Sequence, residues 1–130
     1  SPTDAFVNAQ AAILDFENGV RLAAIAANEP FLFYTGVGEK HFTGVMAWSL
    51  KGFMKALHKI SIKSLEFHNN RGDFEQWTER SLRDKILAEQ LKRIRLLKPK
   101  GETLRKSIAK LIKKRFDELS MQVQMVTKRL

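Results

Sequence analysis

The last third of the chain carries a helical pattern that is interrupted only once. Within residues 86–97 and 104–130, apolar side chains recur mostly every three or four positions, which is the spacing of one face of an α-helix. The interruption is Lys98-Pro99-Lys100-Gly101, where proline and glycine end a helix. The pattern therefore predicts a helix over residues 83–97 and another beginning near Glu102. Two long helices joined by so short a breaker form an antiparallel αα-hairpin.

The first 82 residues predict smaller elements. Apolar residues at helical spacing predict an N-terminal helix over about residues 4–28, which Pro30 ends. Phe31–Thr35 is a short aromatic run typical of a strand, and Val45–Trp48 can return beside it as a second strand. A single hairpin of this kind is marginal alone, so it must pack on helices.

The predicted fold class is mainly α: a compact helical domain with a short aromatic β-hairpin and a long basic C-terminal αα-hairpin. A chain of 130 residues has the usual size of one domain. We therefore expect a single domain, 1–130. Its parts are an N-terminal helix (about 4–28), a β element (31–48), a helical core (49–82) and the basic hairpin (83–130).

Three residues of the helical core have the chemistry of helix N-caps. Ser49 and Ser61 each precede an apolar helical pattern. Residues 69–72, Asn-Asn-Arg-Gly, are typical of a turn. After them, Asp73 is predicted to cap the next helix, with Gln76 in the capping-box position.

The net charge of +9 is concentrated in the basic hairpin. Residues 83–130 contain 15 basic and 5 acidic residues, whereas residues 1–48 contain 2 basic and 5 acidic residues. A charge excess confined to one end of a chain is typical of a surface that faces a polyanion.

The cations of the basic hairpin are therefore the candidate nucleic-acid-binding residues. On the last helix the lysines lie on the side opposite the apolar stripe. Contacts between such lysines and a phosphate backbone release condensed counterions, which favours binding. The predicted residues are Lys92, Arg93, Arg95, Lys98, Lys100, Arg105, Lys106, Lys110, Lys113 and Lys114. We also consider Arg115 as a further phosphate contact. The alternative to nucleic-acid binding is that these cations form an ordinary solvent-exposed helix face in a lysine-rich protein.

The partner predicted from this pattern is structured RNA or the ribosome surface rather than DNA. No helix-turn-helix reader or base-reading array is evident, whereas a rigid basic module suits recognition of RNA backbone and shape. An anionic membrane surface is a weaker alternative. The predicted function is a non-enzymatic binding module, and the alternative is a protein-interaction or regulatory module. Such a module would dock an acidic partner, or form a homodimer through residues 121–130, which have spare apolar positions.

Catalytic, metal and cofactor chemistry finds little support. The chain has no cysteine, which excludes disulfides, thiolate zinc sites and cysteine nucleophiles. The histidines match no standard metal-site spacing, and the glycines near residue 36 fit no phosphate-binding fingerprint. We therefore predict no catalytic residues, no metal and no cofactor. A third hypothesis is a small enzyme or ligand sensor using the His68–Asp73 region, which a cleft joining those residues to the aromatic strand would favour.

The chain shows no apolar run long enough to span a membrane, and from Ser1-Pro2-Thr3-Asp4 we expect no secretory signal. A cytoplasmic location is expected.

Several short segments follow one another along the middle of the chain. They are Pro30-Phe31-Leu32-Phe33-Tyr34-Thr35-Gly36, Ser49-Leu50-Lys51-Gly52-Phe53, Ser64-Leu65-Glu66-Phe67-His68, Arg71-Gly72-Asp73-Phe74-Glu75-Gln76-Trp77 and Leu87-Ala88-Glu89-Gln90-Leu91. Together these segments resemble an uncharacterised domain-of-unknown-function family of archaea and bacteria. The resemblance covers about residues 30–119 and implies no activity.

Overall fold

Two strands open the part of the chain that the structure describes. The computed structural model describes residues 27–129, without the side chains of Val123 and of residues 126–129. The predicted N-terminal helix, about 4–28, lies almost wholly outside the described residues. Strand β1 (Phe31–Tyr34) pairs antiparallel with β2 (Phe42–Ala47), and a short 3-10 helix (Glu39–His41) precedes β2. The aromatic hairpin is confirmed, with its second strand beginning earlier than Val45.

Five helices follow the hairpin. They are α1 (Leu50–Leu57), α2 (Ile62–Arg71), α3 (Asp73–Arg80), α4 (Lys85–Leu97) and α5 (Gly101–Arg129). Helices α4 and α5 pack on each other as the predicted αα-hairpin, and α5 also contacts α1 and α2. The mainly α fold class is thereby confirmed.

Local cap chemistry explains where α1 and α2 begin. The Oγ of Ser49 accepts a hydrogen bond from the Gly52 N–H at 2.8 Å, and the Oγ of Ser61 accepts one from the Ser64 N–H at 3.1 Å. Helix α4 begins two residues later than predicted. Its N-cap is Asp84, whose Oδ1 accepts the Leu87 N–H at 2.9 Å, because Arg83 has a positive φ of 55° that is not helical.

The predictions for residues 69–76 were wrong in detail. Helix α2 continues through Arg71, and the turn is confined to Gly72, which has a φ of 74°. The N-cap of α3 is Gly72 without a side-chain cap, and Asp73 is the first residue of the helix. The Asp73 carboxylate is instead hydrogen-bonded to His68, so the capping box with Gln76 does not form.

The hydrophobic core joins the hairpin to the helices. Phe31 and Phe33 pack with Phe53, Phe74 and Trp77 in an aromatic cluster whose ring centroids lie between 4.7 and 6.3 Å apart. The basic hairpin buries its predicted stripe against this cluster and the helices around it. The fully buried members of the stripe are Leu87, Leu91, Leu104, Ile108 and Ile112. Ile86, also predicted for the stripe, is 58% exposed.

Candidate functional site

One side of α5 presents lysines and the opposite side is buried. Lys106, Lys110, Lys113 and Lys114 are all exposed. Leu104, Ile108 and Ile112 on the other side are fully buried. At 100° per residue the four lysines fall within one quadrant or slightly more of the helix, roughly opposite the buried side chains. Packing of the apolar stripe therefore fixes the lysines on the surface.

Four more predicted residues are exposed on α4 and the connector. Lys92 and Arg93 lie on the side of α4 away from the buried Leu87 and Leu91, and Lys98 and Lys100 flank Pro99. We name the eight exposed residues the cationic face. They are Lys92, Arg93, Lys98, Lys100, Lys106, Lys110, Lys113 and Lys114.

Few carboxylates oppose the cationic face. Arg93 lies 4.0 Å from Glu89, and Lys113 lies 3.0 Å from Asp117; all four side chains are more than half exposed. Surface pairs of this kind are weak and easily exchanged for other partners. For the other six residues of the face, no carboxylate of the described residues lies within 4.0 Å. Within residues 27–129, therefore, little negative charge is paired with this surface.

Arg105 is hydrogen-bonded inside the protein. Its Nη1 donates to the carbonyl oxygens of Leu57 and Ile60, the latter at 2.7 Å, and its Nε donates to Glu102 at 2.9 Å. Leu57 is the last residue of α1, so the guanidinium satisfies carbonyls that a helix end leaves without partners. The side chain is only 16% exposed. Its placement is that of a structural cap.

Arg95 joins α4 to α3. Its Nε and Nη2 both lie 2.9 Å from the Oε1 of Glu75, and the two side chains are 30% and 18% exposed. The predicted set of ten thus divides into the eight residues of the cationic face and two arginines that are occupied inside the fold. Sequence spacing carries no signal for this division, since Glu75 and the two carbonyl acceptors of Arg105 lie 20 to 48 residues away.

Arg115 is likewise occupied. Its Nε lies 2.7 Å from the Oδ2 of Asp84, its Nη1 lies 3.2 Å from Glu118, and its side chain is 12% exposed. Burial by itself would lower the pKa of Arg115, but the hydrogen bond and charge of Asp84 outweigh it and raise the pKa above the ordinary arginine value. The pair fixes the start of α4 against the middle of α5.

His68 lies at the centre of a second group of polar residues. It is 4% exposed, and its Nε2 accepts the backbone N–H of Tyr34 at 2.8 Å. The ring proton must then be on Nδ1, which donates to the Oδ2 of Asp73 at 2.8 Å. Burial lowers the pKa of His68 despite the opposing influence of Asp73, so the ring is neutral near pH 7. With both nitrogens engaged, His68 has no free lone pair for general base catalysis.

A cleft joins this group to the aromatic strand, as the third hypothesis required. It has a volume of about 430 Å³ and lies between β1, the turn after β1 and the end of α2. Its lining includes Phe31, Tyr34, Phe67, His68, Arg71 and Asp73. We name it the aromatic cleft. Sequence analysis named such a cleft as the observation that would favour the third hypothesis, but it did not predict that the cleft forms.

Two further properties concern the described part of the chain. Within residues 27–129, no group of three or more His, Asp or Glu side chains could hold a metal ion. No helix described there is long and apolar enough to cross a membrane.

Comparison with known proteins supports the resemblance to an uncharacterised family. Residues 69–129 match the model of a Family of unknown function (DUF5752). The match includes α3, α4 and α5, and hence the whole cationic face, whereas the resemblance inferred from the sequence began at Pro30. No curated protein and no solved structure gives a significant match to the chain.

Proposed function

We propose that this protein is a non-enzymatic binding module that contacts structured RNA through the cationic face of its basic hairpin. The observation that carries the proposal is the surface itself: eight exposed cations, six of them without a carboxylate within 4.0 Å among the described residues. Such a density of unopposed charge on a rigid support exceeds what solubility requires.

The binding would be electrostatic in origin. Each lysine that meets a phosphate releases a condensed counterion, so affinity falls as salt concentration rises. Arg93 can add a planar, bidentate contact to a phosphate, which fixes orientation. The structural arginines Arg95, Arg105 and Arg115 hold the two helices in place, so the backbone that carries the lysines need not be ordered by the ligand.

RNA is favoured over DNA because the basic hairpin, as far as the structure describes it, shows no array of side chains suited to reading base edges. The exposed side of α5 is lysine-rich, and a lysine is a point charge on a flexible stem, which suits phosphate contacts better than the fixed geometry of bidentate base contacts. Recognition of backbone and shape suits folded RNA. A ribosome offers a large surface of the same chemistry, and a cytoplasmic location belongs to this proposal.

A recess at the connector supports a contact of this kind. It has a volume of about 320 Å³, and Lys98 and Lys100 line it together with Glu66 and Asn70. The Glu66 carboxylate lies 3.5 Å from the Gly101 N–H, at the start of α5. Lys98 and Lys100 thus place two exposed cations at the edge of a recess.

The test is a charge reversal with a matched control. The variant K106E/K110E/K114E reverses three lysines of α5 and leaves the Lys113–Asp117 pair intact. The control K51E/K55E/K59E reverses three exposed lysines at the same spacing on and just after α1. Both change the net charge equally. Fluorescence anisotropy with a labelled, structured RNA should show binding lost in the first variant and largely retained in the control.

Equal loss in both variants would mean that affinity follows net charge, which would overturn the assignment to the cationic face. Unchanged binding in the α5 variant would overturn it as well. Circular dichroism of both variants checks whether they are folded. We expect both to be folded, because all six lysines are exposed.

A second candidate function is a protein-docking module, and the end of α5 favours it. Met121 and Met125 are 63% and 51% exposed and lie one turn apart. Methionines exposed on one helix side suit an adaptable apolar contact. Light scattering and pull-downs after nuclease treatment distinguish the two functions, because nuclease releases only those partners that RNA bridges. A dimer that M121E/M125E converts to a monomer would support this candidate.

A further inference from the structure

The aromatic cleft has the size and the lining of a small-molecule site. Its volume of about 430 Å³ lies within the usual range of ligand pockets, roughly 300–1,000 Å³. Rings of Phe31, Tyr34 and Phe67 line it, and Gly36 and Gly38 form the adjoining wall. A Cβ at Gly38 would meet nothing within 4 Å, so this part of the wall leaves room for a flat ligand, whereas a Cβ at Gly36 would lie 3.3 Å from the His41 ring.

Arg71 supplies a charged group to this cleft. Its guanidinium carbon lies 4.7 Å from the centroid of the Phe67 ring, and its Nε lies 3.4 Å from the Oδ2 of Asp73. The side chain is 52% exposed, and its two terminal nitrogens have no hydrogen-bond partner among the described residues. Stacking on the ring and the Asp73 contact orient a fork of N–H donors.

The base of the cleft is held in place before any ligand arrives. His68 ties β1 to α3 through the Tyr34 N–H and the Asp73 carboxylate, both at 2.8 Å. The same carboxylate oxygen faces Arg71, so the charge of Asp73 is already opposed. Glu39, which also lines the cleft, is exposed at its rim, where water screens its charge. A cationic ligand would have to lie beside the Arg71 guanidinium.

From this geometry we infer that the aromatic cleft binds a small organic anion with a flat apolar body and a carboxylate or phosphate group. The anionic group accepts two hydrogen bonds from the terminal nitrogens of Arg71. The flat body lies against the rings of Tyr34 and Phe67. This inference concerns residues outside the cationic face and does not depend on RNA binding.

The experiment is an NMR titration of the full chain with three probes: phenyl phosphate, benzoate and benzylamine. The two anions should produce saturable shifts of the backbone amides of Tyr34, Gly36, Gly38 and Arg71 at millimolar concentrations. Comparison of the two anions shows whether phosphate or carboxylate is preferred. Benzylamine, which carries the same ring with a positive charge, should bind more weakly than either.

Two variants and a control test the role assigned to the charges. R71M should weaken the binding of both anions about tenfold or more, because it removes the charged fork and keeps an apolar side chain over Phe67. E39Q should leave anion affinity unchanged or increase it. R80M, which removes an exposed arginine at the end of α3, should bind like the parent protein.

Three results would overturn the inference. They are the absence of saturable shifts with either anion, equal anion binding by R71M and the parent, and a preference for benzylamine that E39Q abolishes. The spectrum of each variant reports whether it is folded, so a loss of binding with dispersed, parent-like peaks is a property of the cleft.

Discussion

The Asp84 carboxylate performs two tasks at once: it caps α4 through the Leu87 N–H at 2.9 Å, and it binds the Arg115 guanidinium at 2.7 and 3.2 Å. Both side chains are almost fully buried, at 8% and 12% exposure. One residue thus begins the first helix of the basic hairpin and attaches it to the middle of the second.

Replacing Asp84 should therefore destabilise the protein strongly. D84A removes a helix cap, which costs about 1 kcal/mol. It also leaves the largely buried Arg115 guanidinium with Glu118 as its one remaining carboxylate among the described residues, which costs about 3 kcal/mol. Urea unfolding should show a loss of about 3–5 kcal/mol in the free energy of unfolding. D117A, which removes an exposed carboxylate on α5, is the control and should change stability little. A loss below about 1 kcal/mol for D84A would contradict the double role.

Arg105 should matter for stability rather than for RNA binding. R105M removes the donors to the carbonyl oxygens of Leu57 and Ile60 and should lower the free energy of unfolding by about 2 kcal/mol. RNA affinity of the folded variant should stay within about twofold of the parent, because the guanidinium is occupied before RNA arrives. K106E, at the next position, should show the reverse: weaker binding and unchanged stability. A loss of RNA affinity in R105M equal to that of K106E would contradict the cap.

The contrast between these neighbours shows what sequence alone could predict. Helical spacing correctly placed Leu104, Ile108 and Ile112 inside and Lys106 and Lys110 outside, because both follow from one periodicity. Arg105 lies at the edge of the buried side, and the two carbonyl oxygens that it caps are 45 and 48 residues away. Only the tertiary fold brings those carbonyls to it.

The same reason explains why Asp73 was misassigned. An acidic residue after glycine and before an apolar helical pattern is typical of an N-cap, and the local prediction took it as one. In the fold, a buried histidine five residues earlier competes for that carboxylate, and Gly72 takes the cap position. The caps at Ser49 and Ser61 were predicted correctly because each depends only on an N–H three residues ahead. The start of α4 carried an equivalent signal in Asp84, which sequence analysis did not use.

The His68 contacts predict that stability rises with pH across the histidine range. Because burial lowers the pKa of His68 in the folded state, the unfolded chain binds more protons below the ordinary value near 6.5. Unfolding free energy should therefore fall as the pH drops from 7.5 towards 5.5. The variant H68Q should lose most of this dependence. A parent protein that is equally stable at both pH values, or an H68Q variant with the same slope, would contradict the neutral, doubly bonded ring.

Any side chain at position 72 should lower the stability of the protein. It has a φ of 74°, and a Cβ there would lie 2.7 Å from the Oε1 of Glu75, which is hydrogen-bonded to Arg95. G72A should cost about 1–2 kcal/mol for the left-handed backbone, and more for displacing this pair. G44A is the matched control: its φ is 83°, but nothing lies within 4 Å of the added Cβ. Thermal unfolding should therefore rank G72A below G44A, and equal stability of the two would show that the Glu75 contact is unimportant.

The most direct test of the central proposal is the salt dependence of RNA binding. For six to eight phosphate contacts, the logarithm of the association constant should fall with the logarithm of salt concentration, with a slope of about −4 to −7. K106E/K110E/K114E should weaken binding throughout the series and flatten the slope by about 2 to 3, whereas K51E/K55E/K59E should keep the parent slope. A shallow slope for the parent protein, or one that the α5 variant leaves unchanged, would contradict RNA binding by the cationic face.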